Sequence, residues 1–427
     1  MLKNPVASYG LEHQILKRFA PYFLVATLFS ALAIPLVLTQ RQLSWCSTDE
    51  LAYHYVTVRE FQSQWPHLDF RDYPSAQTPL YYVILAAVSQ VNDNITTLRF
   101  VSFGMSLAIV LFIEAYLMTR TRPALAIFLT ILVAISPYFL GVAVRLLTDN
   151  LALGAAIAAL FALDDTFDLS AVRSASGAFL GSISVLTRQI YVWLALMQFL
   201  ATFCHKKRLS ERVLNVVLSA VPVLVLVPFL LLWRGLTPLS WVGWSNREAL
   251  SINLNVPMFI LSLLGVLGSV FIFTMSRAWR LSGCRITYAT LFAGIGVLTL
   301  LIHPFTIARG GWLFAVGRLV PKVLGTPLIF WILFPLGLVY LYVLFARQLF
   351  SGSYLVVIAL TLWMLANSVS AVVFQRYYEP MLTFFVAYIL APLNFESLTE
   401  WLMPSAYLFG CLGLDVLIFY SSHLQSG

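Results

Sequence analysis

Residues 19–39 read FAPYFLVATLFSALAIPLVLT, a stretch that contains no charged side chain. A helix needs about 20 mainly apolar residues to cross the ~30 Å hydrocarbon core of a membrane, so this stretch predicts a transmembrane helix. Lys17 and Arg18 precede it. Because the run is longer than the ~7–15 residue core of a secretory signal peptide, we expect the helix to be retained rather than cleaved.

Apolar segments of similar length recur along the whole chain. Of its 427 residues, 60% are hydrophobic and 10% are charged, whereas soluble domains carry about 25% charged residues. The composition predicts an all-α fold, a polytopic bundle of about 13 transmembrane helices that forms a single integral-membrane domain over residues 1–427 in a lipid bilayer. The expected spans lie near residues 20–39, 96–118, 123–141, 148–163, 174–187, 190–204, 213–233, 255–276, 286–302, 324–346, 354–373, 381–395 and 401–420.

Two polar segments interrupt these spans. The first, residues 40–94, contains short helices that we expect at the membrane interface, among them residues 79–91, a stretch that is only marginally long enough to cross. The second is residues 303–323. Basic clusters at 206–212 and 277–285 fall on the other predicted face, and such clusters mark the cytoplasmic side. We therefore expect both polar segments on the periplasmic or lumenal side of a bacterial inner membrane or an ER membrane.

The formal net charge of +8 fits the same picture. Basic residues of membrane proteins gather near lipid head groups, so the charge does not indicate a nucleic-acid partner. The four cysteines (Cys46, Cys204, Cys284 and Cys411) are widely separated and form no paired spacing. This spacing argues against a zinc site or a disulfide framework.

The segment Ser47–Tyr55, STDELAYHY, carries an acidic pair shortly after the first span. A partly desolvated carboxylate at a membrane surface can act as a general base, and Asp49 is our candidate. Glu50 has an alternative role, because Ser47 and Glu50 have the spacing of a helix capping box. On a helix, Asp49 shares a face with Tyr53, and Glu50 shares the neighbouring face with His54.

Asp149 is the second candidate acid, predicted on the same side of the membrane as Asp49. The sequence Thr148-Asp149-Asn150 precedes an apolar run, so a helix N-cap is the alternative interpretation. Asp49, Glu50 and Asp149 are also the residues that would hold a divalent cation, Mg²⁺ or Mn²⁺, if the protein requires one. No redox or hydride-carrying cofactor is indicated.

Several arginines fall on the predicted non-cytoplasmic side. Any one of them could be an interfacial residue with its alkyl stem in the apolar layer. Together they indicate an anionic ligand, because the planar guanidinium matches the oxygens of a phosphate. The backbone of Arg309-Gly310-Gly311 could add N–H donors to such a ligand. These arginines are Arg99, Arg145, Arg188, Arg309, Arg318 and Arg376.

Taken together, these residues resemble the GT-C superfamily of integral-membrane glycosyltransferases. The resemblance lies in Asp49-Glu50 after the first span, Thr78-Pro79-Leu80-Tyr81, Leu98-Arg99 at the second span and Asp149. Within the superfamily, the chain is most similar to the dolichyl-phosphate-glucose α-1,2-glucosyltransferase family. That closer likeness rests on the acidic pair with His54, on Asp72 before Thr78-Pro79, on Arg188-Gln189-Ile190-Tyr191-Val192-Trp193 and on His303-Pro304-Phe305.

The resemblance implies an inverting hexosyltransferase that takes a sugar from a polyprenyl- or dolichyl-phosphate donor and gives it to a glycan, lipid or protein acceptor. Asp49 would deprotonate the acceptor hydroxyl, and Glu50 and Asp149 would orient the acceptor or hold a metal ion. Arg188, Arg309 and Arg376 would stabilise the leaving phosphate. Further candidate substrate contacts are Tyr53, His54, Asp72, Arg145, Gln189 and His303.

Two other classes of protein remain as alternatives. A transporter or flippase for a lipid-linked or anionic substrate would place ionisable groups near the bilayer midplane. In this sequence most charges fall at span ends, with Glu114 inside a span but near its cytoplasmic end. A membrane scaffold without catalytic activity would not need the acidic pair. Sugar transfer by the purified protein separates the enzyme from both.

Overall fold

The computed structural model describes residues 6–39, 44–164, 170–204, 209–241, 252–306, 310–350, 354–369 and 373–420. Within these ranges the chain is almost entirely helical, so the predicted all-α class is confirmed. Its α-helices are α1 (Val6–Leu38), α2 (Ser44–Asp49), α3 (Tyr55–Gln64), α4 (Leu80–Ser89), α5 (Ile95–Met118), α6 (Pro123–Ala134), α7 (Pro137–Ala143), α8 (Asp149–Leu163), α9 (Ala171–Thr187), α10 (Trp193–Cys204), α11 (Leu209–Leu224), α12 (Val227–Trp233), α13 (Asn255–Val270), α14 (Ile272–Leu281), α15 (Ile286–Ile302), α16 (Trp312–Leu319), α17 (Leu328–Phe350), α18 (Leu355–Asn367), α19 (Glu379–Leu390) and α20 (Leu398–Asp415).

Short elements connect these helices. A small antiparallel hairpin pairs β1 (Lys322–Val323) with β2 (Thr326–Pro327). The remaining described elements are π-helical turns at Glu50–His54 and Val416–Tyr420, and 3₁₀ turns at Gln189–Val192, Leu239–Trp241, Gln375–Tyr377 and Ala391–Leu393.

The number of helices that could span a membrane is smaller than predicted. Five described helices are long and apolar enough: Phe19–Leu38, Ile95–Met118, Leu209–Trp233, Leu328–Leu349 and Leu398–Phe419. Two bent helix pairs, α6 with α7 and α13 with α14, raise the number to seven if each pair is one span. The prediction of about 13 spans, which rested on segment length and apolarity, is therefore wrong for the described part of the chain.

Helix length explains the difference. Four of the predicted spans form apolar helices of 10–17 residues, namely Asp149–Leu163, Gln189–Phe203, Ile286–Ile302 and Leu355–Asn367. At 1.5 Å per residue, helices of this size extend ~15–26 Å, which is less than the ~30 Å hydrocarbon core. The bounds predicted for most of these segments are close to those of the observed helices, so the error lay in counting helices of this length as spans.

The break between α6 and α7 follows from a proline. Pro137 opens α7, and the ring of a proline disfavours the helical conformation of the residue before it. Ser136 accordingly has an extended backbone with ψ of 131°, and the two helices meet at 73°. The bend places Ser136 beside Glu379 at the start of α19, and Tyr138 accepts from the backbone N–H of Trp312 in α16 at 2.9 Å.

Helices α13 and α17 pack through glycines. A Cβ atom on Gly337 would lie 1.8 Å from the carbonyl oxygen of Leu261, and one on Gly265 would lie 2.2 Å from that of Leu333. Only a residue without a side chain allows the two backbones to approach so closely, a common device in apolar helix pairs. This contact joins the middle of the chain to its C-terminal third.

The polar residues gather at the ends of the helices. Arg122 and Arg277 donate to the carbonyls of Phe395 and Leu393, and Arg277 also pairs with Glu400. Asp164, directly after α8, accepts hydrogen bonds from Arg120 and from two tyrosine hydroxyls, Tyr116 and Tyr388. Arg120, Arg122 and Arg277 thus tie the ends of α5, α14 and α19 together.

The first polar segment folds as predicted into short helices. From Ser44 to Gln64 the chain is helical throughout, as α2, the π-helical turn and α3, and α4 follows. Aromatic rings of Phe61, Tyr73 and Tyr82 pack edge to face beneath these helices, together with Trp233 of α12. The capping-box prediction is wrong, because α2 already begins at Ser44 and Ser47 lies inside it.

Candidate active site

Asp49 pairs with an arginine from the far end of the sequence. Asp49 is the last residue of α2, and Arg376 lies in the 3₁₀ turn before α19. Nη1 of Arg376 donates to Oδ2 of Asp49, and its Nη2 donates to the hydroxyl of Tyr377 at 2.8 Å. The side chains of Asp49 and Arg376 are 26% and 12% exposed. This ion pair is therefore open to a ligand on one side.

Asp149 forms a second pair of the same kind. It is the first residue of α8, and Nη1 of Arg188 donates to its Oδ1. Arg188 directly follows α9, where its extended backbone ends the helix. Among the described residues, the side chain of Thr148, which precedes α8, makes no capping hydrogen bond. Asp149 lies inside the helix, and its carboxylate accepts from Arg188 instead of capping α8. The N-cap interpretation is thus wrong, and the structure brings Asp149 and Arg188, both predicted on the same side of the membrane, into one ion pair.

Tyr377 links the two ion pairs. The guanidinium carbon of Arg188 lies 4.4 Å from the centroid of the Tyr377 ring, and that of Arg376 lies 4.8 Å from it. Both distances are within the range of cation–π attraction. Burial opposes ionisation of the phenol, but the nearby charges of Arg376 and Arg188 outweigh it and lower the pKa of Tyr377. Sequence reasoning missed this residue, although it lies in the polar run Gln375–Glu379 between two apolar segments.

His54 lies next to this group and is neutral. Its Nδ1 is 2.7 Å from the hydroxyl of Tyr82, which is 2.6 Å from Oγ of Ser75. Burial, followed by the charges of Arg376 and Arg188, lowers the pKa of His54 from 6.5 to about 3. The imidazole can therefore exchange hydrogen bonds at neutral pH without adding charge to a site that already holds two arginines.

Glu50 belongs to a different, fully buried network. Arg99 binds it through two bonds, Nε to Oε1 at 2.8 Å and Nη2 to Oε2 at 2.6 Å. The backbone N–H of Leu146 donates to Oε1 at 3.1 Å, and Nε of Arg145 lies 3.5 Å from Oε2. Glu50 and Arg145 have no exposed side-chain surface. The structure thus places both residues away from any surface that a substrate could reach.

The three candidate metal ligands each face an arginine instead of one another. Asp49 meets Arg376, Asp149 meets Arg188, and Glu50 meets Arg99. Among the residues that the structure describes, no three His, Cys, Asp or Glu side chains lie close enough to hold a metal ion. This arrangement does not fit the suggested Mg²⁺ or Mn²⁺ site, and we derive no step through a metal.

Two of the remaining candidate residues brace the loop that follows α3. The exposed Asp72 accepts from the backbone N–H of Ser240 at 2.8 Å. Nε2 of Gln189 donates to the carbonyls of Ala76 at 2.8 Å and Leu236 at 3.0 Å. Its buried Oε1 has no hydrogen-bond partner among the residues that the structure describes. These contacts connect the Asp72–Thr78 loop to the start of α10 and to the end of α12.

The other candidate contacts have separate positions. Tyr53 is half-buried in the π-helical turn beside His54. His303 follows α15, and its buried Nε2 has no hydrogen-bond partner. No contact in the described chain joins His303 to the Asp49–Arg376 pair. Arg309 lies outside the described residues, so its predicted phosphate contact stays a prediction.

The segment after Arg309 packs against the turn that carries Arg376. The N–H of Gln375 donates to the carbonyl of Gly310 at 3.2 Å, and Oε1 of Gln375 accepts from the N–H of Leu313 at 3.1 Å. Buried Glu379 accepts from Nε1 of Trp312 at 3.0 Å and from Oγ of Ser136 at 3.0 Å. These bonds fix the direction in which Arg376 leaves the backbone.

The site therefore combines two carboxylates, two guanidiniums, a phenol and a neutral imidazole, which we call the Asp49 cluster (Asp49, His54, Asp149, Arg188, Arg376 and Tyr377). Its formal charge is balanced. A carboxylate of this kind can accept a proton from a hydroxyl, and paired guanidiniums can bind a phosphate or stabilise one as it leaves. The sequence had proposed all of these residues except Tyr377.

No family model matches this chain, and neither a curated protein nor a solved structure matches it.

Proposed function

We propose that this protein is a GT-C-type glycosyltransferase that moves a sugar from a polyprenyl- or dolichyl-phosphate donor to a hydroxyl of a glycan, lipid or protein acceptor. The observation that supports this most is the Asp49 cluster, in which Asp49 and Arg376 lie beside Asp149 and Arg188 around the ring of Tyr377. A base and an anion site within one cluster suit the transfer of a group from a phosphate to a hydroxyl.

In the proposed reaction Asp49 takes the proton of the acceptor hydroxyl. The acceptor oxygen attacks the anomeric carbon of the sugar, and the bond between that carbon and the phosphate oxygen breaks with inversion. The electron pair of that bond leaves with the polyprenyl phosphate. Negative charge grows on the phosphate during this step, and guanidiniums held at the place where charge develops lower the barrier. Arg376 and Arg188 have that role.

Asp149 and His54 would orient the substrates. Asp149 holds Arg188, so it sets the direction of one guanidinium. His54 is neutral because its pKa is lowered to about 3, and a neutral imidazole can bind a sugar hydroxyl without competing for the phosphate. Tyr53 lies one residue away at the partly open side of the same turn.

A lipid-linked donor agrees with the setting of the cluster. Two long apolar helices lie close to it: Arg99 of α5 binds Glu50, the neighbour of Asp49, and α1 packs against α5. A prenyl chain would lie between such helices in the hydrocarbon layer. The phosphate of the donor would then sit at the interface, at the level of the helix ends that carry Asp49 and Asp149. From the clustering of Lys and Arg, we place this end on the periplasmic or lumenal side.

A panel of polyprenyl-phosphate sugars tests the proposal. The purified protein, in detergent or nanodiscs, is incubated with each radiolabelled donor and a mixture of glycan, lipid and peptide acceptors, with and without a chelator. We expect transfer from at least one hexosyl donor and the release of polyprenyl phosphate in equal amount. Release without a glycosylated product, or no turnover of any donor, would contradict the proposal; the chelator arm measures the metal requirement separately.

A transporter or flippase is the second candidate, and one observation favours it. Asp415 in α20 is only 2% exposed, and within the described part of the chain neither of its carboxylate oxygens has a hydrogen-bond partner. Ionisable groups buried in apolar helices often mark ion or substrate pathways. Transport needs two compartments, whereas sugar transfer proceeds in detergent, so the assay above distinguishes the two functions.

A further inference from the structure

Both acids of the Asp49 cluster are partly exposed and are bound by the arginines that the proposed reaction assigns to the phosphate. Arg376 donates to Asp49, and Arg188 donates to Asp149. The base and the anion site are therefore engaged with each other. An acceptor hydroxyl that approached Asp49 in this state would meet a carboxylate whose Oδ2 already accepts from a guanidinium.

Arg188 and Arg376 both approach the ring of Tyr377. Two like charges on one phenol ring repel each other, the more so where burial reduces the screening by water. Asp49 and Asp149 supply the two negative charges that offset this repulsion. A phosphate could supply the same charge and would accept from both guanidiniums with several oxygens, which makes it a stronger partner than a single carboxylate oxygen.

The Asp49–Arg376 and Asp149–Arg188 pairs are more exposed than the Glu50–Arg99 pair. The side chains of Asp49, Asp149, Arg188 and Arg376 are between 11% and 26% exposed, so a ligand can reach them. Glu50 and Arg99, at 0% and 4%, are enclosed. The open pairs are thus suited to exchange partners, and the enclosed pair is not.

We infer that the anionic phosphate of the substrate and the carboxylates of Asp49 and Asp149 compete for the same guanidiniums, so that binding of the donor releases Asp49 to act as the base. This inference rests on the proposed function and adds how its site is regulated. The donor binds first, and the acceptor is deprotonated only when a phosphate is in place. A neutral lipid head group, which cannot displace a carboxylate from an arginine, leaves the site inactive.

The competition has a consequence that is easy to measure. Removing the charge of Asp49 or Asp149 takes away a competitor, so the variants D49N and D149N should bind a phosphate lipid more tightly than the unaltered protein. The binding of one group typically changes the affinity for another on the same protein by about 5- to 150-fold when the two are coupled. If Asp49 and Asp149 did not compete for the guanidiniums, D49N and D149N would leave the affinity for the phosphate lipid unchanged.

The experiment measures the binding of polyprenyl phosphate without a sugar, so that no turnover occurs. The full-length protein in nanodiscs is titrated with the lipid, for the unaltered chain and for D49N, D149N and D93N. Asp93 is an exposed acid of the same polar segment that pairs with Arg59, so D93N reports the general effect of losing one negative charge. We expect D49N and D149N to bind at least about fivefold more tightly and D93N to bind like the unaltered protein.

A double variant shows whether the gain passes through the guanidinium. In R376Q combined with D49N, the tighter binding should disappear. Affinity in D49N and D149N no greater than in D93N overturns the inference, even where the unaltered protein transfers sugar and the proposed function stands. No binding of polyprenyl phosphate by the unaltered protein overturns the inference and the proposed function together.

Discussion

Asp49 and Glu50 are neighbours in the chain, but their carboxylates bind different arginines. Asp49 meets Arg376 in the partly open cluster, and Glu50 meets Arg99 in an enclosed network. One acid is therefore available to a substrate, and the other stabilises the position of the helix that carries both. This separation of roles leads to different expectations for the two residues.

The variant E50Q should destabilise the fold. The substitution leaves Arg99 as a buried charge without its counter-charge, and breaking a buried ion pair in this way costs about 3–5 kcal/mol. The midpoint of thermal unfolding in detergent should fall markedly, which can be followed by loss of the monodisperse peak after heating. D93N is the matched control, because the Arg59–Asp93 pair is exposed and such pairs contribute about 0–1 kcal/mol. Equal unfolding midpoints for E50Q and D93N would remove Glu50 from its structural role.

His54 should make the protein sensitive to acid. The native pKa of His54 is about 3, against 6.5 for the unperturbed side chain, so the unfolded chain binds the proton first as the pH falls. The contribution of neutral His54 to the free energy of unfolding is fully present above pH 6.5. It is lost as the pH falls from about 6.5 to 3, by up to about 1.4 kcal/mol per pH unit.

The comparison of H54N with the exposed control H67N tests this expectation. Unfolding midpoints measured at pH 7.5 and at pH 5.5 should differ less in H54N than in the unaltered protein and in H67N. An unchanged pH dependence in H54N means that His54 is not the group that titrates.

The variant R376K should weaken the donor complex. Lysine keeps the positive charge but loses the planar fork that matches a phosphate, and a hydrogen bond to a charged group contributes about 1.5–3 kcal/mol. We expect the KM for the donor to rise by about tenfold or more while the KM for the acceptor changes little. R59K replaces an exposed arginine that pairs with Asp93 and should leave both constants as they are. A donor KM in R376K equal to that of R59K would exclude Arg376 from the phosphate site.

The variant G337A should weaken the contact between α13 and α17. A Cβ at this position would lie 1.8 Å from the carbonyl oxygen of Leu261, and a backbone atom cannot move aside as a side-chain tip can. Overpacking of this kind costs about 1–3 kcal/mol or more. Gly294 of α15 has no atom within 4 Å of its added Cβ, so G294A should be neutral or slightly stabilising. Similar unfolding midpoints for the two variants would show that the helices do not pack as described.

Local features of the fold followed from the sequence where they depend on nearby residues. The predicted span at 148–163 is the helix Asp149–Leu163, because an apolar run with a polar start defines a helix by itself. The number of membrane-spanning helices did not follow, because short apolar helices such as this one were counted as spans although they are too short to cross the hydrocarbon core. The bend at Ser136–Pro137 and the broken pair at Phe271 divide runs that look continuous in the sequence.

The candidate site was predictable as a set of residues but not as an arrangement. The direction of Asp49 towards Arg376 depends on packing between segments that are 327 residues apart. Glu50 begins a π-helical turn, in which the helix takes up an extra residue and the side chains rotate relative to a regular α-helix. Tyr377 was missed because an aromatic residue at a membrane interface is common, and only the positions of Arg188 and Arg376 on its ring make it distinctive.

The most direct test of the account is the transfer rate of D49N, measured with saturating donor and acceptor on protein that elutes and unfolds like the unaltered chain. Asparagine keeps the size of the side chain and cannot accept the proton of the acceptor, and loss of a general base typically costs about 100- to 10,000-fold in rate. The account predicts a fall in kcat within that range without loss of the folded protein. Turnover close to that of the unaltered protein would contradict the assignment of Asp49 as the base.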